Sequence, residues 1–577
     1  MNDIRRTILW VIFGFSMVLL WDQWQIYNGH KPTFFPSTPV PPAATSKAPP
    51  AASGVPPATV PATSVPSAVP GTSTSAAASV PGAAAPAAAV PSPGAPSATG
   101  QNIVVTTDLL RLTFNTEGGS LVRTEFLKQL ADDKNANLVL LDDSPGRKYV
   151  AESGLIGGDY PNHKTVMNFS GDRELKPGAG ELVVRFESPE KGGVKLVKTY
   201  TFKRGAYDAL VRHEVVNTGT APVSPQLYLQ LVRDGNKPPN ESSFYSTFTG
   251  PAVYTEAKKF HKVDFSDIEK NKVDIDKTST NGYVAMVQHY FASAWILPEG
   301  IKRELFARKV ADNLYAVGMI TAVEAVAPGT AKVIDAKFFA GPQEENLLEK
   351  IAPGLELVKD YGWLTILAKP LYWLLTQIYS FLHNWGWSIM ALVLVIKVAF
   401  YWLQAQGYDS MAKMKAINPK VTAMRERYKD KPQEMQQEMM RIYREEKVNP
   451  MGGCLPIMVQ IPVFIALYWV LLSSVEMRGA PWIGWIHDLA APDPYFILPI
   501  VMTFTTMLQT ALNPTPPDPM QAKLMWFMPL AFSIMFFFFP AGLVLYWITN
   551  NVLSIAQQWI INTRMGVPPQ FNLPKFR

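Results

Sequence analysis

The sequence predicts an α-helical membrane bundle of six transmembrane helices with one exported all-β domain and a cytoplasmic helical hairpin. Four apolar runs at 385–406, 452–475, 494–512 and 524–561 contain a single charge between them, Lys397. Residues 103–340 instead form short runs that alternate or are rich in β-branched residues, as in strands. Charged residues make up only 17% of the 577 residues, where a soluble protein has about 25%. The composition therefore argues against a largely soluble chain.

The first predicted element is an N-terminal signal anchor, residues 1–28. Residues 7–21 are apolar and uncharged and follow Arg5 and Arg6. A cleaved signal peptide is the alternative, but Asp22 and Gln23 follow the run in place of a small-residue cleavage site. Residues 29–102 are rich in Pro and Ala and are predicted to be a disordered linker outside the cytoplasm, because they cannot bury a core.

The second predicted element is an all-β domain at 103–345, long enough for one large β-sandwich. The segments KLVKTYTF (195–202) and ALVRHEVV (209–216) have strand character, and glycine pairs separate such runs. Residues 346–370 are predicted to form one amphipathic helix that lies along the outer membrane interface. This β-domain also allows a separate class of function, that of a glycan-binding protein with an elaborate anchor.

The remaining five transmembrane helices are predicted at 371–408, 450–475, 493–512, 524–540 and 541–563. The run 524–561 is about twice as long as one crossing needs, and Pro540 and Gly542 divide it. Residues 409–447 hold ten Lys or Arg against seven Asp or Glu, whereas the loop 476–493 is acidic. The positive-inside rule therefore predicts that both termini, including the tail 564–577, are cytoplasmic.

A cytoplasmic helical hairpin is predicted at 409–449, with a break at Lys431-Pro432. Its apolar residues follow helical spacing and include Met414, Met424, Met435 and Met439. The simplest interpretation is that these methionines form the seam between the two helices. The alternative is a pliable surface that captures unfolded apolar segments.

Lys397 is the strongest functional signal in the bundle. An ammonium this deep costs about 2.5–3.5 kcal/mol on insertion scales, so we expect it to face a polar cavity. Gln404 lies on the same helical face, seven residues on. The alternative is a lysine whose long stem reaches the headgroups.

Further neutral polar residues are predicted to line the same cavity. Tyr546, Asn550, Ser554 and Gln557 form a stripe on the last helix, beside Trp547, and Gln460 lies in the third helix. Taken singly, each is better interpreted as an interhelical hydrogen-bonding group. Phosphate-loop, nucleophile-elbow and zinc-peptidase motifs are absent from the sequence, and one Cys excludes a cysteine cluster. We therefore predict no enzyme activity, no metal, no cofactor and no DNA partner.

Most of 355–562 resembles the YidC/Oxa/Alb family of membrane protein insertases. The matching stretches are DYGWLTILAKPLYWLL (360–375), NWGWSIM (384–390), SMAKMKAINPKVTAMRERYKD (410–430), EKVNPMGGCLPIMVQIPVFIALYWVL (446–471), WIHDLAAPDPYFILP (485–499) and FPAGLVLYWITNNVLSIAQQ (539–558). GYVAMVQHYFASAW (282–295) and FFAGPQ (338–343) are similar to the large periplasmic domain of Gram-negative members.

The resemblance implies a five-helix core plus the N-terminal anchor, and a periplasmic β-supersandwich without enzyme activity. It implies a positively charged hydrophilic groove, where Lys397 stands at the position of the usual arginine and Gln460, Tyr546 and Trp547 line the walls. Trp547 replaces the aromatic hydroxyl that is common at its position. The implied location is the bacterial inner membrane.

The function that the resemblance implies is insertion and chaperoning of nascent membrane proteins, alone or with the Sec translocon and its accessory subunits. Its other implied partners are the ribosome and membrane lipids. The alternative function is a channel or transporter that uses the same polar cavity. No Asp or Glu lies within the apolar runs 7–21, 385–406, 452–475, 494–512 and 524–561, which argues against coupled transport.

Overall fold

The structure is a computed structural model that describes residues 100–564 apart from 132–135, 239–246, 429–430, 447–454 and 514–518, together with residues 566 and 571. The predicted signal anchor, nearly all of the predicted linker and most of the predicted tail lie outside the described residues.

Residues 102–342 form an all-β domain, which confirms the predicted class of this region. Its strands are β1 (Asn102–Thr106), β2 (Leu110–Asn115), β3 (Ser120–Leu130), β4 (Asn137–Val139), β5 (Asp142–Ser144), β6 (Arg147–Ile156), β7 (Asn168–Gly171), β8 (Glu181–Glu187), β9 (Val194–Lys203), β10 (Asp208–Asn217), β11 (Gln226–Asp234), β12 (Gly250–Thr255), β13 (Lys259–Lys262), β14 (Thr278–Ser279), β15 (Tyr283–Gln288), β16 (Phe291–Ile296), β17 (Arg303–Ala311), β18 (Leu314–Ala322) and β19 (Ala331–Pro342). One short helix, α1 (Phe265–Glu269), interrupts them.

The strands pair into two antiparallel sheets. The first has the order β1-β2-β3-β6-β11-β18-β17-β14, with β4 and β5 paired at its side, and the second has the order β13-β12-β15-β16-β19-β10-β9-β8-β7. Strand alternation explains the core: in β8, Leu182, Val184 and Phe186 are buried while their neighbours are exposed. Phe186 meets Phe114 of the other sheet at a ring-centroid distance of 5.3 Å. Burial of such apolar side chains between the sheets holds the two layers together.

The C-terminal region is helical. Its helices are α2 (Glu345–Ile351), α3 (Thr365–Leu382), α4 (Trp385–Ala399), α5 (Tyr401–Arg427), α6 (Pro432–Glu445), α7 (Leu455–Ser473), α8 (Ile497–Leu512), α9 (Pro519–Met535) and α10 (Ala541–Arg564), with 3₁₀ turns at Leu355–Val358, Gly362–Leu364, Val475–Met477 and Phe536–Phe538. Leu375, Leu392, Leu467 and Val544 are among the buried residues of their common core.

The predicted single amphipathic helix at 346–370 is wrong. The segment instead contains α2, two 3₁₀ turns and the start of α3. Pro353 forces the preceding Ala352 into an extended conformation, where α2 ends. Gly354 is left-handed (φ 76°), and a Cβ there would lie 2.4 Å from the Tyr254 ring. An apolar face is exposed instead on α3, where Ile366, Trp373 and Phe381 face outward.

The predicted single transmembrane helix at 371–408 is also wrong, because three helical pieces cover it. His383 is left-handed (φ 50°), and the Asn384 side chain accepts a hydrogen bond from the Trp387 N–H at 3.2 Å, which caps the start of α4. A second break at Phe400 separates α4 from α5, and the two helices bend by 67°.

Within the described residues, no helix taken alone is long and apolar enough to cross a membrane, although the bent pair Trp385–Ala399 and Tyr401–Ser410 meets the requirement together. Val459–Ser473, Ile497–Leu512 and Ala522–Phe538 are shorter apolar helices. The count of six spans and the cytoplasmic position of the α5–α6 pair stay predictions. The predicted fifth span at 524–540 differs in its ends, because α9 begins at Pro519 and gives way to a 3₁₀ turn after Met535.

Candidate functional site

Lys397 lies near the end of α4 and points into the helical core. Its Nζ donates a hydrogen bond to Ser554 Oγ of α10 at 2.7 Å, and the residue is 7% exposed. Ser554 Oγ in turn donates to the Asn550 carbonyl at 2.7 Å. No carboxylate of the described residues pairs with this ammonium. The side chain therefore turns toward α10.

Lys397 is more enclosed than the sequence predicts. The sequence predicts a polar cavity around this side chain, and the structure places a hydroxyl acceptor of a neighbouring helix against it. A buried ammonium needs a hydrogen-bond acceptor, and Ser554, which lies on the predicted polar stripe, supplies one.

Gln460 of α7 extends this polar contact. Its Nε2 donates to Asn550 Oδ1 at 2.9 Å, one helical turn from Ser554. Lys397, Gln460, Asn550 and Ser554 therefore join α4, α7 and α10 through two side-chain hydrogen bonds. We refer to these four residues as the polar core.

Tyr546 and Trp547 make aromatic contacts next to the polar core. Tyr546 is buried and stacks on Phe464 of α7 with a centroid distance of 5.8 Å. Trp547 meets the same ring edge-on at 4.8 Å. All five groove residues suggested by the sequence thus come from α4, α7 and α10, which pack together.

Other polar residues of α10 face α8 instead. Asn551 Nδ2 donates to Thr506 Oγ1 at 2.9 Å, and Gln558 Nε2 donates to the Leu512 carbonyl at 3.4 Å. For these two residues the interpretation as interhelical hydrogen-bonding groups is the right one. The predicted polar stripe therefore divides into two sides with different partners.

A narrow cleft of about 290 Å³ adjoins the polar core at the bend between α4 and α5. Ile396, Phe400, Val459 and Val463 make it mostly apolar, and Gln404 and Gln460 add two amides. Gln404 is buried, and its Oε1 has no hydrogen-bond partner among the described residues. The cleft thus presents one free acceptor in apolar surroundings.

The four methionines suggested for capture lie on α5 and α6. Ile417 and Val421 form a small buried cluster with Met414 of α5 and with Ile442 and Tyr443 of α6. Met424 is also buried, and Met435 and Met439 are half-buried. The seam interpretation thus fits Met414. Met440, which the sequence analysis did not single out, is 49% exposed.

A charged cluster that sequence reasoning missed lies where the β-domain meets the helices. Lys359 Nζ lies 3.2 and 3.3 Å from the two carboxylate oxygens of Glu476 and 3.8 Å from the centroid of the Tyr372 ring. The Tyr372 hydroxyl donates to Glu476 Oε1 at 2.5 Å. Burial lowers the pKa of Lys359, and the Glu476 carboxylate opposes this shift. No local sequence signal could pair residues 117 positions apart.

The comparisons with known proteins cover nearly the whole chain. Residues 102–374 match the family model described as YidC periplasmic domain, and residues 377–567 match that described as 60Kd inner membrane protein. A protein of Cupriavidus taiwanensis named membrane protein insertase YidC is 58% identical over 98% of both chains. One of the same name from Burkholderia multivorans is 53% identical over 98% of this chain and 99% of its own.

The solved structures include a distant match that covers most of the chain. A crystal structure of an active YidC insertase with the first transmembrane domain resolved covers 82% of this chain and 94% of its own. The sequence identity is 19% and the TM-score is 0.38.

Proposed function

We propose, from the premise that this chain belongs to the YidC family of membrane protein insertases, that it inserts nascent inner-membrane proteins and assists their folding. The observation that carries the proposal is the polar core, in which a buried ammonium is held by a hydroxyl and meets no carboxylate of the described residues. A positive charge without a counter-ion attracts the acidic flank of a substrate.

The first step of the proposed mechanism is capture. The pair α5–α6 is rich in methionine and is basic, and Met440 offers an exposed apolar contact. Such a surface suits unfolded apolar segments of varied sequence. We place this pair on the cytoplasmic side, because residues 409–447 carry an excess of Lys and Arg.

The second step is transfer. The polar flank of the substrate replaces Ser554 as the partner of Lys397, and the cleft beside Gln404 receives the segment that follows. The apolar part then moves into lipid along α7 and α9, whose exposed side chains include Ile461, Phe527 and Ile534. Transfer of the apolar segment out of water drives release.

The topology and partners of the proposal follow from the same premise. The chain spans the bacterial inner membrane six times, with both termini in the cytoplasm and the β-domain in the periplasm. Its partners are nascent membrane proteins, the ribosome and lipids, and it works alone or with the Sec translocon. The acidic loop 476–493 on the side of the β-domain supports this orientation.

The test is charge reversal at Lys397 in cells depleted of the native copy. We expect Lys397→Glu to slow insertion of small acidic-tailed substrates by about tenfold or more, because attraction becomes repulsion at low dielectric. Lys397→Arg keeps the charge and should retain most activity. Protease protection of pulse-labelled substrate measures insertion.

Lys350→Glu is the matched control, since Lys350 is exposed on α2 and far along the chain from the polar core. Normal insertion by the Lys397→Glu variant would contradict the attraction step. Solute flux through purified vesicles that disappears in Lys397→Ala would instead favour the channel or transporter.

A further inference from the structure

The β-domain contains a wide polar cleft that the insertion mechanism does not use. The cleft is open to solvent, has a volume of about 720 Å³ and lies on the sheet that contains β2, β3, β6, β11 and β18. Its rim includes the side-chain amides Asn115, Asn236 and Asn313. Its lining also includes Ser120, Glu152 and His163, each more than nine-tenths buried.

The buried residues of the cleft are held in fixed positions. Glu152 Oε2 accepts a hydrogen bond from Gln230 Nε2 at 2.7 Å, and His163 Nε2 lies 3.9 Å from the same oxygen. The Tyr228 hydroxyl lies 2.5 Å from His163 Nδ1 and accepts the His163 backbone N–H at 3.0 Å. Tyr228 therefore holds the His163 ring through Nδ1, and the second ring nitrogen, Nε2, faces Glu152.

Three buried polar atoms in or beside the cleft are still able to form hydrogen bonds. Ser120 Oγ, His163 Nε2 and Gln230 Oε1 are buried and have no hydrogen-bond partner among the described residues. Ser120 and His163 line the cleft itself. Buried polar atoms in folded proteins are nearly always satisfied by protein, water or ligand. These two atoms, of which His163 Nε2 lies 3.9 Å from Glu152 Oε2, thus indicate a place for an external polar group.

The charges in the cleft argue against a strongly ionic ligand. Asp143 pairs with Lys148 at 2.7 Å, and Asp234 accepts hydrogen bonds from the backbone N–H groups of Lys148 and Asn236. The other charged side chains of the lining are of both signs, with Glu117, Glu152 and Asp312 acidic and Arg147 and Lys164 basic, so that neither a cation nor an anion is clearly favoured. Burial lowers the pKa of His163, so that its ring is neutral at neutral pH.

We propose that this cleft binds a neutral polyhydroxylated ligand, a carbohydrate of the cell envelope, with Ser120, Glu152 and His163 as its anchoring residues. A sugar hydroxyl donates and accepts at once, as this set of atoms requires. The Glu152 carboxylate takes hydroxyl protons. Asn236 Nδ2 and Asn313 Nδ2 each donate one N–H within the protein, to the Gly146 carbonyl and to Asn236 Oδ1, and their second N–H donates to ring and hydroxyl oxygens. The site is distinct from the polar core and does not depend on the proposed insertion function.

The experiment uses the full-length protein in lipid nanodiscs. Chitotetraose and maltotetraose are the neutral probes, tetragalacturonate is the acidic probe, and an extended polar peptide is the non-carbohydrate probe. Saturation-transfer NMR and titration calorimetry measure binding. We expect at least one neutral probe to bind at millimolar concentration or below. Glu152→Gln, which removes the charged acceptor, should weaken this binding about tenfold or more, and Ser120→Ala should weaken it less.

The matched control is Glu181→Gln, which changes an exposed carboxylate of β8 outside the cleft and should leave binding unchanged. Melting temperature and substrate insertion report on folding, and both should stay at wild-type values in the Glu152→Gln protein. Four outcomes would overturn the proposal: no carbohydrate binds, Glu152→Gln binds as well as wild type, the acidic probe binds best, or only the peptide binds.

Discussion

At the scale of single residues, three lysines of the described chain are buried, and each contacts a different kind of partner. Lys198 donates to the carbonyls of Gly118 and Ser153 at 2.6 and 2.7 Å. Lys359 meets a carboxylate, and Lys397 meets the hydroxyl of Ser554. The Glu476 carboxylate in direct contact neutralises Lys359. Lys198 and Lys397 donate to neutral acceptors, and for Lys198 the charge of Glu152 acts in addition.

Lys198 should give the β-domain a measurable pH dependence. Burial lowers its pKa from 10.5 to about 7 in the folded chain. Between these two values the unfolded chain binds a proton that the folded chain does not bind, so stability rises with pH in this window. Below about pH 7 both states are protonated and this contribution is constant. We expect the free energy of unfolding to gain up to about 1.4 kcal/mol per pH unit from this residue.

Urea unfolding of the full-length protein from pH about 7 to about 9 checks this slope, with Lys198→Met as the reference. The variant loses two hydrogen bonds at every pH, so its absolute stability is lower. Its slope with pH should nevertheless be smaller than that of the wild type. Parallel slopes for the two proteins would show that Lys198 does not titrate in this window.

At the scale of elements, one buried carboxylate organises the start of α8. Asp493 Oδ1 accepts hydrogen bonds from Trp485 Nε1 and the Tyr495 N–H, both at 3.0 Å. Asp493 Oδ2 accepts the Leu498 N–H at 2.7 Å, inside the first turn of α8. Phe496 adopts a left-handed conformation (φ 57°) just before the helix begins. The aspartate thus satisfies donors that this turn would otherwise leave unpaired.

Asp493→Ala should lower the free energy of unfolding by about 2 kcal/mol, because it removes the acceptor of three donors, among them the buried Leu498 N–H in the first turn of α8. Hydrogen exchange in Ile497–Leu512 should rise in the first turn. Asp488→Ala is the matched control, since Asp488 accepts the Ala490 N–H at 2.9 Å and no second hydrogen bond from the part of the chain that the structure describes. Equal losses of stability in both variants would contradict the capping role.

The strands and apolar helices follow from local patterns, whereas breaks and pairings do not. Alternation in β8 and the uncharged runs of the C-terminal part are local properties of the chain. The end of α2 before Pro353 also follows from a local property, because proline disfavours a helical conformation of the residue before it. No proline or glycine lies at the bend at Phe400, so the sequence gives no local signal for it.

The same distinction applies to the candidate site. Lys397 and the stripe of Asn550 and Ser554 were predictable, because a deep charge and a polar stripe stand out in apolar helices. Which face each amide takes was not predictable: Asn550 meets Gln460 while its neighbour Asn551 meets Thr506. Helix packing decides this, and it depends on contacts distant in sequence.

At the scale of the whole molecule, the β-domain and the helices share a packed junction. Val475, which follows α7, is part of the buried core of the β-domain. His289 Nε2 lies 3.0 Å from the Leu472 carbonyl. Lys359, Glu476 and Tyr372 then join the connector after the β-domain, the turn after α7 and helix α3. Movement of the β-domain relative to α3 and α7 would have to break this cluster.

Lys359→Met should loosen this junction. The variant leaves the carboxylate of Glu476, which is 16% exposed, without its counter-ion. Breaking one partner of a buried ion pair costs about 3–5 kcal/mol. We expect a loss of that order in stability and faster hydrogen exchange at 352–362 and in α3. Hydrogen exchange with mass spectrometry on the full-length protein gives both readouts.

A double-mutant cycle separates the ion pair from general packing. If the carboxylate is destabilising once it is unpaired, then Lys359→Met with Glu476→Gln should recover part of the loss, giving a coupling energy of about 1–3 kcal/mol. Lys350→Met, at an exposed position of α2, controls for the loss of a lysine and should leave exchange unchanged. Strictly additive effects of the two changes would mean that Lys359 and Glu476 act independently. In that case only apolar contacts, such as those of Val475, would hold the β-domain to the helices. A change of charge in the cluster of Lys359, Glu476 and Tyr372 would then not alter the orientation of the domain.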